Sequence, residues 1–118
     1  MDKAELEKRT KTFAVRIMSF VARLPRNRIS DTLGNQLLRS GTSVGANYRE
    51  ANRAQSRSDF IHKIALVEKE AAETQYWLEL LDESKIGNPD ERLWLLNESN
   101  ALLAIFTSVG KTTKSRRS

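Results

Sequence analysis

Cysteine is absent from this 118-residue chain, and proline (two residues) and glycine (five residues) are scarce. Without cysteine the protein has no disulfide, no thiol nucleophile and no zinc–thiolate site. No apolar run approaches the ~20 residues that span a bilayer, and the charged start of the chain does not resemble a signal peptide. We therefore expect a cytoplasmic protein that makes no membrane contact.

Charged residues, by contrast, are abundant. The chain has 20 lysines and arginines against 15 aspartates and glutamates, which gives a net charge of +5. The positive charge is concentrated in residues 1–29, whereas residues 58–85 are acidic. Such asymmetry predicts either attraction to an anionic polymer or pairing between oppositely charged helices.

Apolar residues recur every three or four positions in four segments, as they do on the buried face of an amphipathic helix. The expected helices cover residues 3–24, from 30 or 31 to 54, 59–84, and from 88 or 89 to about 109. Long helices joined by short connections predict an all-α fold, an antiparallel up-down-up-down four-helix bundle. The bundle would occupy residues 1–110 as one domain, followed by a basic, disordered tail at 111–118.

Good capping residues stand near three of the expected helix starts. We expect Ser30 or Asp31 to cap the second helix, Ser58 the third and Asn88 the fourth, because their side-chain oxygens accept hydrogen bonds from free backbone N–H groups. Pro89 then suits the first position of the fourth helix, where no backbone N–H is needed.

Two glycines in the second helix predict a close contact. Gly41 and Gly45 each cost about 1 kcal/mol of helix stability relative to alanine. We expect a neighbouring helix to approach closely at these positions and to offset that cost.

The fourth helix is apolar over more of its circumference than one core requires. Its apolar residues cover three sectors: Leu93, Leu96, Leu103 and Phe106 face one way, Leu95, Leu102 and Val109 cover an adjacent sector, and Trp94, Ala101 and Ile105 another. Trp77, on the third helix, and Trp94 add to this surplus. Because surplus apolar surface usually marks a subunit interface, the pattern predicts a homo-oligomer.

Six polar residues form a candidate cluster on the second and third helices: Arg39, Ser43, Asn47, Glu50, Glu70 and Glu73. The favoured interpretation is structural, with Arg39 paired to Glu50, Glu70 or Glu73 to fix the register of the helices. The alternative is a ligand or RNA site. A metal site, a cofactor and a catalytic centre are not expected, because di-iron bundles need Glu-x-x-His motifs on paired helices and none is present.

The string from Arg57 to His62 supports a different alternative. An arginine followed five positions later by a histidine, at the start of a helix, resembles the catalytic string of HEPN-type ribonucleases. The arginine would stabilise a phosphate and the histidine would transfer protons.

The basic residues of the first helix and of the connection after it are the candidates for contact with nucleic acid: Arg9, Lys11, Arg16, Arg23, Arg26 and Arg28. The competing interpretation is an ordinary solvated face. With no base-reading motif in the sequence, binding would depend on phosphates and would weaken with salt.

Two stretches resemble one family, the four-helix-bundle proteins related to those encoded in 23S rRNA intervening sequences. The matching residues are Gln36, Leu37, Arg39, Ser40, Ser43, Asn47, Glu50, Phe60, Ala65, Glu70, Glu73, Trp77 and Leu78. Many relatives have Glu-Gly where this chain has Glu50-Ala51.

The resemblance implies an antiparallel bundle that assembles into a homopentamer with a central channel. It also implies similarity to the accessory variability protein of diversity-generating retroelements, which is basic, binds nucleic acid and partners a reverse transcriptase. We therefore expect a non-enzymatic, homo-oligomeric assembly or adaptor protein that binds RNA or DNA non-specifically. The alternative is a structural or protein-interaction module that meets an acidic protein partner.

Overall fold

The computed structural model describes residues 1–115, and within that range the chain forms four α-helices and no strand. The helices are α1 (Lys3–Ala22), α2 (Arg28–Ala51), α3 (Arg57–Glu83) and α4 (Pro89–Ser115). None of these helices combines the length and apolarity that a membrane crossing requires.

Neighbouring helices run antiparallel, because contacts between them join an early residue of one helix to a late residue of the next. The pairs are Arg9 with Glu98 and Arg16 with Glu91 (α1–α4), Thr10 with Gly45 and Ile17 with Gly41 (α1–α2), Glu50 with Lys63 and Arg39 with Glu73 (α2–α3), and Gln75 with Asn100 and Asp82 with Arg92 (α3–α4). The predicted all-α antiparallel four-helix bundle is confirmed.

One apolar core runs along the bundle between all four helices. Phe13 and Ile17 enter it from α1, Leu37 from α2, Leu78 from α3 and Phe106 from α4, and each of these side chains is fully buried. The four helices thus bury one line of side chains each, as the three- and four-residue spacing predicted.

Two helices begin earlier than predicted, so Ser30, Asp31 and Ser58 are not the caps. Asn27 caps α2 by accepting a hydrogen bond from the N–H of Ser30, and Ser56 caps α3. Asn27 and Ser56 lie in extended backbone, as capping residues usually do. Each precedes the cap predicted for its helix, and the longer helix gains a backbone hydrogen bond for every added residue.

The fourth helix begins as predicted and ends later than predicted. Asn88 accepts a hydrogen bond from the N–H of Glu91, and Pro89 is the first residue of α4. The helix continues through Gly110, which does not end it. Gly110 is buried and faces the end of the Glu68 side chain of α3. Residues 111–115 are helical, which corrects the prediction of disorder there; residues 116–118 lie outside the described range.

One of the three apolar sectors of α4 is buried. The buried residues of this helix are Arg92, Leu95, Ser99, Leu102, Phe106 and Gly110. Leu93, in another sector, is 55% exposed. Three sectors of α4 carry apolar residues, so spacing alone did not select one. Arg92 settles the orientation, because its guanidinium binds Asp82 and the carbonyl oxygens of Ile86 and Gly87.

The close helix contact predicted from the glycines of α2 is present, and the approaching helix is α1. A Cβ on Gly41 would overlap the side chain of Ile17, and one on Gly45 would lie 3.1 Å from Thr10 Oγ1. Thr10 is fully buried and donates its hydroxyl to the carbonyl oxygens of its own helix. The glycines therefore let α1 lie close against α2.

Candidate nucleic-acid interface

Arg9, the first candidate for nucleic-acid contact, is held by a carboxylate of the neighbouring helix. Its Nε and Nη2 each donate to Glu98 of α4 at 2.7 Å. This hydrogen bonding raises the pKa of the Arg9 guanidinium. The pair is bidentate and Glu98 is largely covered. A phosphate would therefore have to displace Glu98 to form a bidentate pair with Arg9.

Arg16, about two turns further along α1, is also held by a carboxylate of α4. Its Nη2 donates to both carboxylate oxygens of Glu91 at 3.0 Å. The guanidinium also lies 3.6 Å from the ring centroid of Trp94. This distance makes a cation–π contact. Arg9 and Arg16 together tie α1 to α4.

The other four candidate cations are free or loosely held. Lys11, Arg23 and Arg28 are exposed and make no ion pair within residues 1–115. Arg26 pairs with Asp31 at 3.0 Å, yet its side chain is 87% exposed. The structure therefore divides the predicted set into two arginines that fasten helices together and four cations that face solvent.

The polar cluster on α2 and α3 is centred on Arg39, which connects the two helices through ion pairs. Its guanidinium donates to Glu73 at 2.6 Å and to Glu70 at 3.3 Å. These hydrogen bonds, that to Glu73 foremost, raise the pKa of Arg39. The two carboxylates thus face a cation, and no group of three His, Asp or Glu side chains within residues 1–115 is arranged to hold a metal ion.

The remaining cluster members do not converge on Arg39. Ser43 donates its hydroxyl to the carbonyl oxygen of Arg39, and Asn47 donates to that of Ser43, so both bonds stay within α2. Glu50, one of three predicted partners of Arg39, instead accepts from Lys63 at 3.3 Å. These three cluster members lie along α2 and do not form a ligand site together with the Arg39 ion pairs.

The ribonuclease alternative finds no support in the geometry of α3. Arg57 is the first residue of α3 and His62 is five residues further, and both are exposed. At 3.6 residues per turn, that spacing separates the two side chains by about 140° around the helix axis. Within one chain they do not face a common phosphate.

Sequence reasoning missed a groove between α1 and α4. The groove has a volume of ≈ 420 Å³ and is lined by Met1, Glu5, Lys8, Arg9, Thr12, Trp94 and Glu98. A second groove shares Lys8 and Thr12 and continues to Lys11, Val15 and Arg16. Trp94 and Lys8 are 86 positions apart in sequence, so only the packing of α4 against α1 shows that an aromatic ring lies beside the basic face.

The comparisons with known proteins agree with the bundle. Residues 2–108 match the family model described as 23S rRNA-intervening sequence protein. The chain is also similar to a solved protein of unknown function from the S23 ribosomal protein family of Bacteroides thetaiotaomicron. That likeness has 39% sequence identity and a TM-score of 0.84, and it covers 94% of this chain and 99% of the other. No curated protein matches the chain.

The family match extends over nearly the whole bundle, and the solved relative shares both the fold and well over a third of the aligned residues. The chain therefore belongs to the 23S rRNA-intervening sequence protein family.

Proposed function

We propose that this protein is a non-enzymatic, homo-oligomeric bundle that binds nucleic acid without sequence preference, as an assembly or adaptor protein. The observation that carries the proposal is the set of solvent-facing cations on α1, in the α1–α2 connection and at the start of α2. Lys11, Arg23 and Arg28 make no ion pair within residues 1–115, and Arg26 is almost fully exposed. Cations held free of protein carboxylates are the ones that replace counterions on a phosphate backbone.

The proposed surface extends over a length that suits a polymer. Lys11 lies in α1 and Arg23 caps its C-terminal end 12 residues later, about 18 Å along the axis and about 120° around it. A strand that passes obliquely over α1 could contact both through its phosphates without its sequence being read. Arg9 and Arg16 contribute less, because Glu98 and Glu91 already neutralise them.

The proposal of a homo-oligomer, with a pentamer as the expected form, rests on exposed apolar side chains. Val15, Met18, Tyr76 and Leu93 are each more than half exposed. They lie on α1, α3 and α4, so helices other than α4 also carry exposed apolar side chains. In an oligomer every basic surface is repeated, which multiplies the attraction for a polyanion.

Light scattering with and without a mixed RNA pool tests both parts of the proposal. We expect a molar mass about five times that of the 13.4 kDa chain, and an increase when RNA is added at ~50 mM salt, where phosphate contacts are strongest. A monomeric mass would contradict the oligomer. A five-fold mass that RNA leaves unchanged would contradict nucleic-acid binding and favour the acidic protein partner.

A further inference from the structure

The groove beside Trp94 is lined by residues of different chemistry. The indole and the Met1 side chain supply apolar surface, and Thr12 supplies a hydroxyl. Arg16 lies over the Trp94 ring but does not line this groove, so part of the half-buried indole stays open to it. The volume of ≈ 420 Å³ admits a flat, aromatic group.

Charge decides which part of a nucleic acid fits inside. Glu5 and Glu98 line the groove, and the charge of Arg9 is offset by Glu98. A phosphate inside would therefore meet carboxylates. Lys8 lines both grooves and Lys11 lines the second, and both are exposed and make no ion pair in the described part of the chain. Phosphates suit these two lysines, whereas an uncharged base suits the part of the groove beside the indole and the carboxylates.

We propose that this groove takes one unpaired base of a single-stranded nucleic acid, with the adjoining phosphates on Lys8 and Lys11. Proteins that bind single strands combine a basic track with aromatic rings on which bases stack, and both parts are present here. In a duplex the bases are stacked and paired within the helix, so they do not reach such a ring. The inference rests on the proposed nucleic-acid binding and adds a preference for single strands.

Tryptophan fluorescence gives a direct test, because the chain has only two tryptophans. In a Trp77→Phe variant, Trp94 is the sole tryptophan, and excitation at a wavelength that the two tyrosines do not absorb isolates its emission. Three probes of equal phosphate number are titrated into it at ~50 mM salt: a single-stranded oligonucleotide (as RNA and as DNA), a blunt duplex, and inorganic polyphosphate. Single strands should quench the Trp94 emission as they bind. The duplex and the polyphosphate should bind without quenching it.

Two variants then measure what each part contributes. Trp94→Leu should weaken single-strand binding by about 5- to 100-fold, the range measured for stacking one base on an aromatic ring, and leave duplex binding unchanged. Lys8→Gln should weaken both. Lys69→Gln removes the same charge from an exposed site on α3 and should weaken neither by a comparable factor. Far-UV circular dichroism checks that each variant folds.

The outcomes separate this inference from the proposed function. Binding of single strands and duplex with equal affinity, without quenching, would overturn the Trp94 site and leave nucleic-acid binding intact. No binding of any nucleic acid at ~50 mM salt would overturn both. If Trp94→Leu does not fold, the quenching titration alone decides, because a base stacked on Trp94 must change its emission.

Discussion

At the scale of single residues, Gly45 shows how a locally unfavourable choice is required by packing. A Cβ at this position would lie 3.1 Å from Thr10 Oγ1 and 3.2 Å from Thr10 Cβ. Thr10 has little freedom to move, because it is fully buried and its hydroxyl is bonded to the carbonyl oxygens of Leu6 and Glu7. The helix therefore accepts a glycine so that α1 and α2 can meet.

The variant Gly45→Leu tests this contact. The change improves helix propensity by about 1 kcal/mol, but the added volume has no room against Thr10. We expect the free energy of unfolding to fall by about 1–3 kcal/mol, measured by urea denaturation. Ala46→Leu is the matched control, since Ala46 is the next residue of α2 and is exposed. Equal stability of the two variants would show that α1 does not constrain position 45.

The buried phenol of Tyr48 should make the stability of the fold depend on pH in the alkaline range. The ring is 5% exposed and packs 5.2 Å from that of Phe106. Burial raises the pKa of the Tyr48 phenol above its ordinary value of about 10. Above pH ~10 the unfolded chain loses this proton while the folded chain keeps it, so stability is full below pH ~10 and falls as pH rises through the folded-state pKa.

Replacing the phenol removes that loss. Tyr48→Phe should lose less stability than the wild type between pH 9 and pH 11, as measured by urea denaturation at each pH. Tyr76→Phe, at an exposed site on α3, is the control and should follow the wild type. Parallel curves for all three proteins would contradict a role for Tyr48, and lysine titration affects each of them alike.

At the scale of helices, α1 and α4 share the sparsest of the four helix–helix contacts, and ion pairs reinforce it. Arg9 and Glu98 are partly covered by the bundle, with side-chain exposures of 31% and 14%. Arg26 and Asp31 form a pair of similar length that is far more exposed. The Arg9–Glu98 pair is bidentate, whereas Arg26 donates one hydrogen bond to Asp31. Because solvent also screens exposed pairs, the Arg9–Glu98 pair should be the stronger of the two.

A double-mutant cycle with Arg9→Gln and Glu98→Gln should give a coupling energy of about 1 kcal/mol. The same cycle with Arg26→Gln and Asp31→Asn is the comparison and should give about 0–0.5 kcal/mol. Both are measured by urea denaturation at ~50 mM salt and repeated at ~1 M salt, where the smaller value should vanish. Equal coupling energies would show that Arg9 adds nothing beyond a surface pair.

The helices were predictable from sequence to within a few residues, and the reasons for the errors are physical. Apolar spacing located each helix because burial repeats every three or four residues. It did not locate the starts, since Asn27 and Ser30 are both competent caps and the earlier one adds a turn. It also did not select the core-facing sector of α4, because Leu93 and Leu95 are equally apolar. In the structure Leu95 is buried, and Arg92 is bonded to Asp82 and to the loop before α4.

The candidate interface was less predictable than the fold. Arg9 and Arg16 look as free as Lys11 in the sequence, because their carboxylate partners are 75 or more positions away. Pairing of Arg39 with Glu70 and Glu73 was among the interpretations, whereas pairing of Glu50 with Lys63 was not. A charge count finds a basic segment, but only the packed bundle shows which cations remain available.

At the scale of the whole molecule, the free cations can be counted by their effect on the salt dependence of binding. Each phosphate contact contributes about 0.7 to the slope of log K against log salt for single strands and about 0.9 for duplex DNA. The double variant Arg23→Gln/Arg28→Gln should therefore lower the slope by about 1.4–1.8 and weaken binding at ~50 mM salt, as followed by fluorescence anisotropy.

The control for this double variant has the same net charge but loses its two cations from another part of the protein. Lys69→Gln/Lys111→Gln also removes two positive charges, from exposed positions on α3 and near the end of α4. If the phosphates lie along α1 and the α1–α2 connection, this control should leave the slope close to that of the wild type. Equal losses in the two double variants would mean that the polymer responds to net charge alone, and the surface assigned to Lys11, Arg23, Arg26 and Arg28 would have no particular role.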